Sequence, residues 1–118
     1  MDHKGFERMV AIIFENLGYK TKVVGGAGDG GIDIEAHKEG KKFFIQCKRK
    51  EQVRPSEIRD FAGSIQNLNL ETEKGFFVTT GDFSKEGKAF AKGNPIKIDL
   101  INGLELEKLA QKIGKESS

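Results

Sequence analysis

Residues 25–48, GGAGDGGIDIEAHKEGKKFFIQCK, constrain the fold of this chain more than any other segment. They read as a glycine-rich turn followed by a β-hairpin, with strands at 32–36 and 43–48 and a connection at 38–41. Side chains alternate faces along a strand. Ile32, Ile34 and Ala36 therefore share one face of the first strand, and Asp33, Glu35 and His37 the other. In the second strand Phe43, Ile45 and Cys47 oppose Phe44, Gln46 and Lys48. A turn at Glu39-Gly40 pairs Lys38 with Lys41, and that register sets Asp33 opposite Gln46. Opposed residues have Cβ atoms roughly 4.5–5.5 Å apart, and Lys48 is one pleat further along. A slip of one residue would turn the apolar set to solvent.

The rest of the chain alternates helices with strands. Phe6, Met9, Val10, Ile13 and Leu17 recur at helical spacing and predict a helix over 3–17, which Gly18 ends. A short strand over 20–24 leads into the glycine turn. Pro55 opens a second helix, with Ile58, Phe61, Ala62, Ile65 and Leu68 on its apolar face. The run GFFVT at 75–79 is a continuous apolar strand, expected to be buried on both sides. Ser84 caps a third, short helix reaching about Lys92, and 96–100 is another strand. Asn102 with Glu105 resembles a capping box and opens a last helix carrying Leu104, Leu106, Leu109 and Ile113. The order α-β-β-β-α-β-α-β-α predicts an α/β layer architecture with a mixed sheet. The later strands should run parallel, because helices cross between them.

At 118 residues the chain is one domain, expected over 1–114 with a disordered tail at 115–118. No apolar run approaches the roughly 20 residues that span a bilayer. The start, MDHKGFERM, is polar and unlike a leader peptide, so no membrane role is expected. One cysteine, Cys47, forbids an intrachain disulfide. With only His3 and His37 beside it, a structural zinc site is not expected. A cytoplasmic location follows as the expectation. The net charge of +2 announces no partner, but its distribution is uneven. Lys41 and Lys42, then Lys48, Arg49 and Lys50, flank the hairpin, and Arg54 and Arg59 follow. Such a rim suits a phosphate backbone; it also reads as an ordinary solvated surface.

The hairpin brings together one carboxylate, one amide and one amine, a set suited to metal-assisted phosphodiester cleavage. Mg²⁺ takes oxygen ligands, usually with one or two carboxylates, so Asp33 is the candidate ligand. Gln46 offers a neutral oxygen, and Lys48 a cation for developing charge or for a positioned water. A plain polar strand face would look the same. Glu7 lies on the stripe Glu7-Val10-Phe14, at the edge of the apolar face of the first helix. There it either needs a partner, such as a metal, a water or Lys48, or serves as an acid favoured by the helix dipole. Residues 26–31 match G-x-G-x-x-G, yet a strand and not a helix follows, so a dinucleotide site is rejected. The glycines instead allow close approach or positive φ, and Asp29 is an outer acid or a turn former. Thr79-Thr80-Gly81 ends the central strand, where open α/β sheets place functional groups. Thr80 is there a candidate phosphate contact or part of an ordinary turn.

The stretches FERMVAIIFENLGY, GDGGIDI, FFIQCKRK, GFFVTTGDFSKEGKAFA and KIDLINGLELEKL, in this order, cover nearly the whole chain. Together they resemble the Mrr-like branch of the PD-(D/E)xK nuclease superfamily, the catalytic domain of type IV restriction endonucleases. The resemblance implies a restriction-endonuclease-like core, a mixed central β-sheet flanked by helices. It implies a metal-dependent DNA endonuclease with Glu7, Asp33, Gln46 and Lys48 in its site. Asp33, Gln46 and the backbone carbonyl of Cys47 would hold Mg²⁺, with Mn²⁺ as substitute. DNA is the implied partner, and Lys41, Lys42, Arg49, Lys50, Arg54 and Thr80 are the candidate contacts. Gln46 stands where most of the superfamily has Glu or Asp, as is usual in the Mrr branch, and leaves fewer charges to hold metal. The chain reads as a bare catalytic domain, so a homodimer or a partner subunit would supply recognition. Archaeal Holliday-junction resolvases, similarly short and with a first-helix glutamate, are the alternative reading. A non-catalytic DNA-binding module on the same fold is another.

Overall fold

A computed structural model of the chain describes residues 1–25, 31–68 and 72–116. The main sheet has five strands in the order β1-β2-β3-β5-β7. They are β1 (Lys20–Val23), β2 (Ile34–Lys38), β3 (Lys41–Lys48), β5 (Lys74–Thr79) and β7 (Ile98–Ile101). The first three are antiparallel neighbours, while β3, β5 and β7 run parallel, as expected from the helices between them. These helices are α2 (Pro55–Asn67) and α3 (Lys85–Gly93), and α1 (His3–Asn16) and α4 (Gly103–Glu116) complete the set.

The local signals act as the sequence reading expects. Gly18 ends α1 at a φ of 102°. Ser84 Oγ accepts the Gly87 N–H at 3.0 Å. Asn102 and Glu105 exchange side-chain to backbone bonds at 2.9 and 3.3 Å. Glu39 and Gly40 both have positive φ, which matches the two-residue turn of a twisted hairpin, and Lys38 pairs with Lys41.

Two apolar layers sandwich the sheet. On one side α1 and α4 bring Phe6, Val10, Phe14 and Leu106 onto Ile34, Ala36, Ile45, Cys47 and Val78. On the other, Ile58, Phe61 and Ile65 of α2 and Ala91 of α3 meet Phe44 and Phe77. Successive residues of β5 thus enter opposite layers, so that strand reads as an unbroken apolar run. Leu68 and Leu104, expected on apolar helix faces, are exposed, because Leu68 is the C-cap of α2 and Leu104 lies in the first turn of α4.

Two features depart from the expected pattern. The first hairpin strand begins at Ile34 and not at Ile32. The carbonyl of Asp33 accepts both the Val24 and the Gly25 N–H, at 2.8 and 3.1 Å. Two residues thus oppose one, as in a β-bulge, and Gly31 just before it has a φ of 91°. The pleat does not carry through: Ile32 packs in the layer of Phe44, opposite Ile34. The second departure is a separate parallel ladder of β4 (Gln52–Val53) and β6 (Asp82–Phe83). Two-residue strands leave no periodicity to read.

Around this ladder three segments interlace at the C-terminal end of the parallel strands. Thr80 N–H reaches the Lys48 carbonyl, Asp82 N–H that of Glu51, and Gly103 N–H that of Gly81. A Cβ at Gly81 would run into the carbonyls of Lys50 and Glu51. Gly81→Ala should therefore cost about 1–3 kcal/mol in urea unfolding, as overpacking does. Gly63→Ala, on α2 with open space around it, should instead gain up to about 1 kcal/mol through helix propensity. Equal stabilities for the two variants would refute the crowding.

Candidate active site

Asp33 is tied down through its backbone and its side chain at once. Its N–H donates to the Ile45 carbonyl at 2.9 Å, and its carbonyl takes the two N–H groups of β1's extension. Oδ2 accepts the Cys47 N–H at 2.8 Å. The bulge turns the other oxygen toward α1. There His3 Nε2 stands 2.9 Å from Glu7 Oε2 and 3.9 Å from Asp33 Oδ1. Ligand atoms of His3, Glu7 and Asp33 all lie within 4.8 Å of one another. A Cβ on Gly25 would sit 2.9 Å from Glu7 Oε2 and 3.4 Å from Asp33 Oδ1, so a side chain there would push the Glu7 carboxylate aside.

Glu7 and Asp33 are 5% and 9% exposed, little enough for the charged forms to miss their water. Burial, above all, pushes the Asp33 carboxyl up to about 6. The Cys47 N–H opposes this rise, the hydrogen bond and charge of Glu7 add to it, and the charge of His3 opposes it. Gln46 stands between Ile45 and Cys47, both of which bond Asp33. Its Oε1 is buried with no hydrogen-bond partner among the described residues. A buried polar atom without a partner is costly and calls for a ligand.

Lys48 is turned elsewhere. Its Nζ lies 3.8 Å from Glu57 Oε1 on α2. Lys50 Nζ holds the same carboxylate at 3.0 and 3.1 Å, and the Arg54 N–H donates to it at 2.8 Å. Partial burial works to raise the Glu57 carboxyl, yet the Arg54 N–H and the two lysines hold it below its ordinary value. Asp33, Gln46 and Lys48 were expected on one strand face. The bulge instead gives the carboxylate of Asp33 to α1, while Lys48 stays with α2.

The basic residues divide into two groups. Arg49, Lys50, Glu51, Thr80 and Gly81 line one open depression beside Lys48, and Arg54 is exposed at the N-cap of α2. Lys41 and Lys42 lie at the turn end of β3, roughly 20 Å from Lys48 along the strand. Lys42 is engaged with Glu35 at 3.2 Å and lies over the Phe44 ring. The Cys47 thiol is buried, and burial, then Asp33 and Glu7, push it well above its ordinary value; it is no nucleophile. Asp29 and the glycines at 26, 28 and 30 fall outside the described residues.

Two buried carboxylates whose ligand atoms lie within 4.8 Å of each other make a donor set that fits a hard divalent cation. Sequence reasoning missed two residues of the site, one in the carboxylate cluster and one beside Lys48. His3 was legible as the residue four before Glu7 on one helix face. Glu57 was legible as an acid two residues after Pro55, in a first helical turn.

The family model described as a restriction endonuclease, of the Mrr catalytic type, matches residues 1–110. The type IV methyl-directed restriction enzyme EcoKMrr of Escherichia coli K12 is 34% identical over 96 residues, which are 74% of this chain. The chain spans about a third of that relative's length, 31%. Among solved structures, a protein of unknown function, AF1548, superposes with a TM-score of 0.76 at 22% identity, over 92% of this chain and 65% of its own. The DNA modification-dependent restriction endonuclease AspBHI superposes at 0.74 and 17% identity, over 93% of this chain and 31% of its own. At these identities the structures establish the fold, a restriction-endonuclease-like core.

The Asp33 environment predicts a pH-dependent stability. Its carboxyl sits near 6 in the folded chain against an ordinary 3.8, so the native state binds more protons than the unfolded state between those values. Stability should then fall as pH rises from about 4 through 6. Asp33→Asn removes this loss. In EDTA the variant should melt above the parent at pH 8 and match it near pH 4. A constant difference across that range would contradict the burial argument.

Proposed function

The chain belongs to the restriction-endonuclease family of Mrr catalytic domains, and on that premise we propose that it is a divalent-metal-dependent DNA endonuclease. The observation that carries this reading is the buried Glu7–Asp33 pair, whose ligand atoms lie within 4.8 Å of each other. Asp33, Gln46 and the Cys47 carbonyl would hold Mg²⁺, or Mn²⁺ in its place, with Glu7 alongside. When bound, such a cation polarises the scissile phosphate and lowers the pKa of a coordinated water.

The protein's own groups do the rest. Asp33 arrives preorganised, because backbone bonds from β1 and β3 fix it before any ligand binds. Lys48 supplies positive charge at the phosphate, exchanging Glu57 for the more strongly charged DNA. Arg49, Lys50, Arg54 and Thr80 grip the backbone without reading sequence, and Lys41 and Lys42 reach only duplex that extends along the hairpin. The nuclease domain covers 1–114. A second copy or a partner subunit would supply recognition. The methyl-directed activity of EcoKMrr belongs to a longer protein, of which the match covers 31%.

The test is cleavage of plasmid, linear, single-stranded and four-way-junction DNA with Mg²⁺, Mn²⁺ or EDTA. Cutting should need metal, and Asp33→Ala should abolish it while duplex still binds. Lys48→Ala should slow it by about 10²-fold or more, the scale of losing one charge-stabilising group. Cleavage in EDTA, or full activity in Asp33→Ala, would remove the assignment. A strong preference for the four-way junction would favour the resolvase-like activity, and binding without any cutting the recognition module.

A further inference from the structure

His3 belongs to neither apolar layer among the described residues. Its side chain is 52% exposed, yet Nε2 points inward at the two buried carboxylates, 2.9 Å from one and 3.9 Å from the other. The donors around an octahedral cation with bonds of about 2.1 Å are roughly 3 Å apart when adjacent and about 4.2 Å apart when opposite. Both His3 distances fall in that span. The helix fixes the pairing, since His3 precedes Glu7 by one turn and shares its face. Ligand atoms of His3, Glu7 and Asp33 all lie within 4.8 Å of one another, close enough to share one cation.

We propose that His3 is a nitrogen ligand of the site's divalent cation, so that this nuclease prefers transition-metal ions such as Mn²⁺ over Mg²⁺. The inference rests on the metal-dependent reading above. Magnesium is served by oxygen donors alone, whereas an imidazole adds affinity for first-row transition ions. Without a cation the imidazole bonds Glu7; with one, it turns from partner of the carboxylate to fellow ligand.

The experiment is pulsed electron paramagnetic resonance of Mn²⁺ on tag-free protein, with Mg²⁺ affinity measured by competition. The parent should show ¹⁴N coupling from one imidazole. His3→Gln should lose that coupling and bind Mn²⁺ on the order of tenfold more weakly, with Mg²⁺ affinity changed far less. His37→Gln, at the only other histidine, should leave the coupling intact. Bound Mn²⁺ without nitrogen coupling, coupling that survives His3→Gln, or coupling lost only in His37→Gln would overturn the inference and leave the nuclease reading standing. A parent that binds neither cation would overturn both. His3 is exposed in the first turn of α1, so the variant should fold, and its melting temperature checks this.

Discussion

Everything in the site hangs on how the main chain grips Asp33. Three backbone bonds and one to its carboxylate join β1's extension, the start of β2 and the end of β3 at a single residue. The bulge that results aims Oδ1 at α1, where Glu7 already leans inward. Neither carboxylate would choose such a place alone, since each loses water and gains a like-charged neighbour. The layers behind them, Phe6, Val10 and Phe14 on Ile34, Ile45 and Cys47, are packed tightly enough to hold both there.

The site is thus a region where folding and chemistry pull against each other. Apolar burial on both sides of β3 and β5 supplies the stability; the acid pair, the Gln46 oxygen without a partner among the described residues and the strand bulge consume some of it. Such local conflicts are expected at functional positions and not elsewhere. The glycine at 25 is part of the same compromise, because a side chain there would displace the Glu7 carboxylate.

Much of this was legible in the sequence. The hairpin register followed from Glu39-Gly40 and the alternation of Phe43–Lys48, and the parallel strands from the helices between them. Ser84 and the Asn102–Glu105 pair announced their helices through hydrogen bonds made within one turn. What escaped the reading depends on partners distant in the chain. The bulge at Asp33 arises from Val24 and Gly25 on another strand, and it broke the assumed pleat at Ile32. Glu57's role is set by lysines on β3. The β4–β6 ladder is too short for any pattern. His3 was visible by spacing, but an exposed histidine in a first turn has no signal of its own until the fold brings Asp33 beside it.

The interlaced ledge of Lys48–Glu51, Thr79–Phe83 and Gly103 has a consequence for how the molecule assembles. Its bonds join segments far apart in the chain, so each must overcome loop-closure entropy before it contributes. The acid pair needs only the first two strands, the hairpin and α1, whereas the basic ledge closes only once Gly103 has bonded Gly81. The two halves of the site therefore rest on different parts of the chain. The carboxylates draw on residues no later than Cys47, whereas the surface that presents Lys48, Lys50 and Thr80 is tied in by residues as late as Gly103.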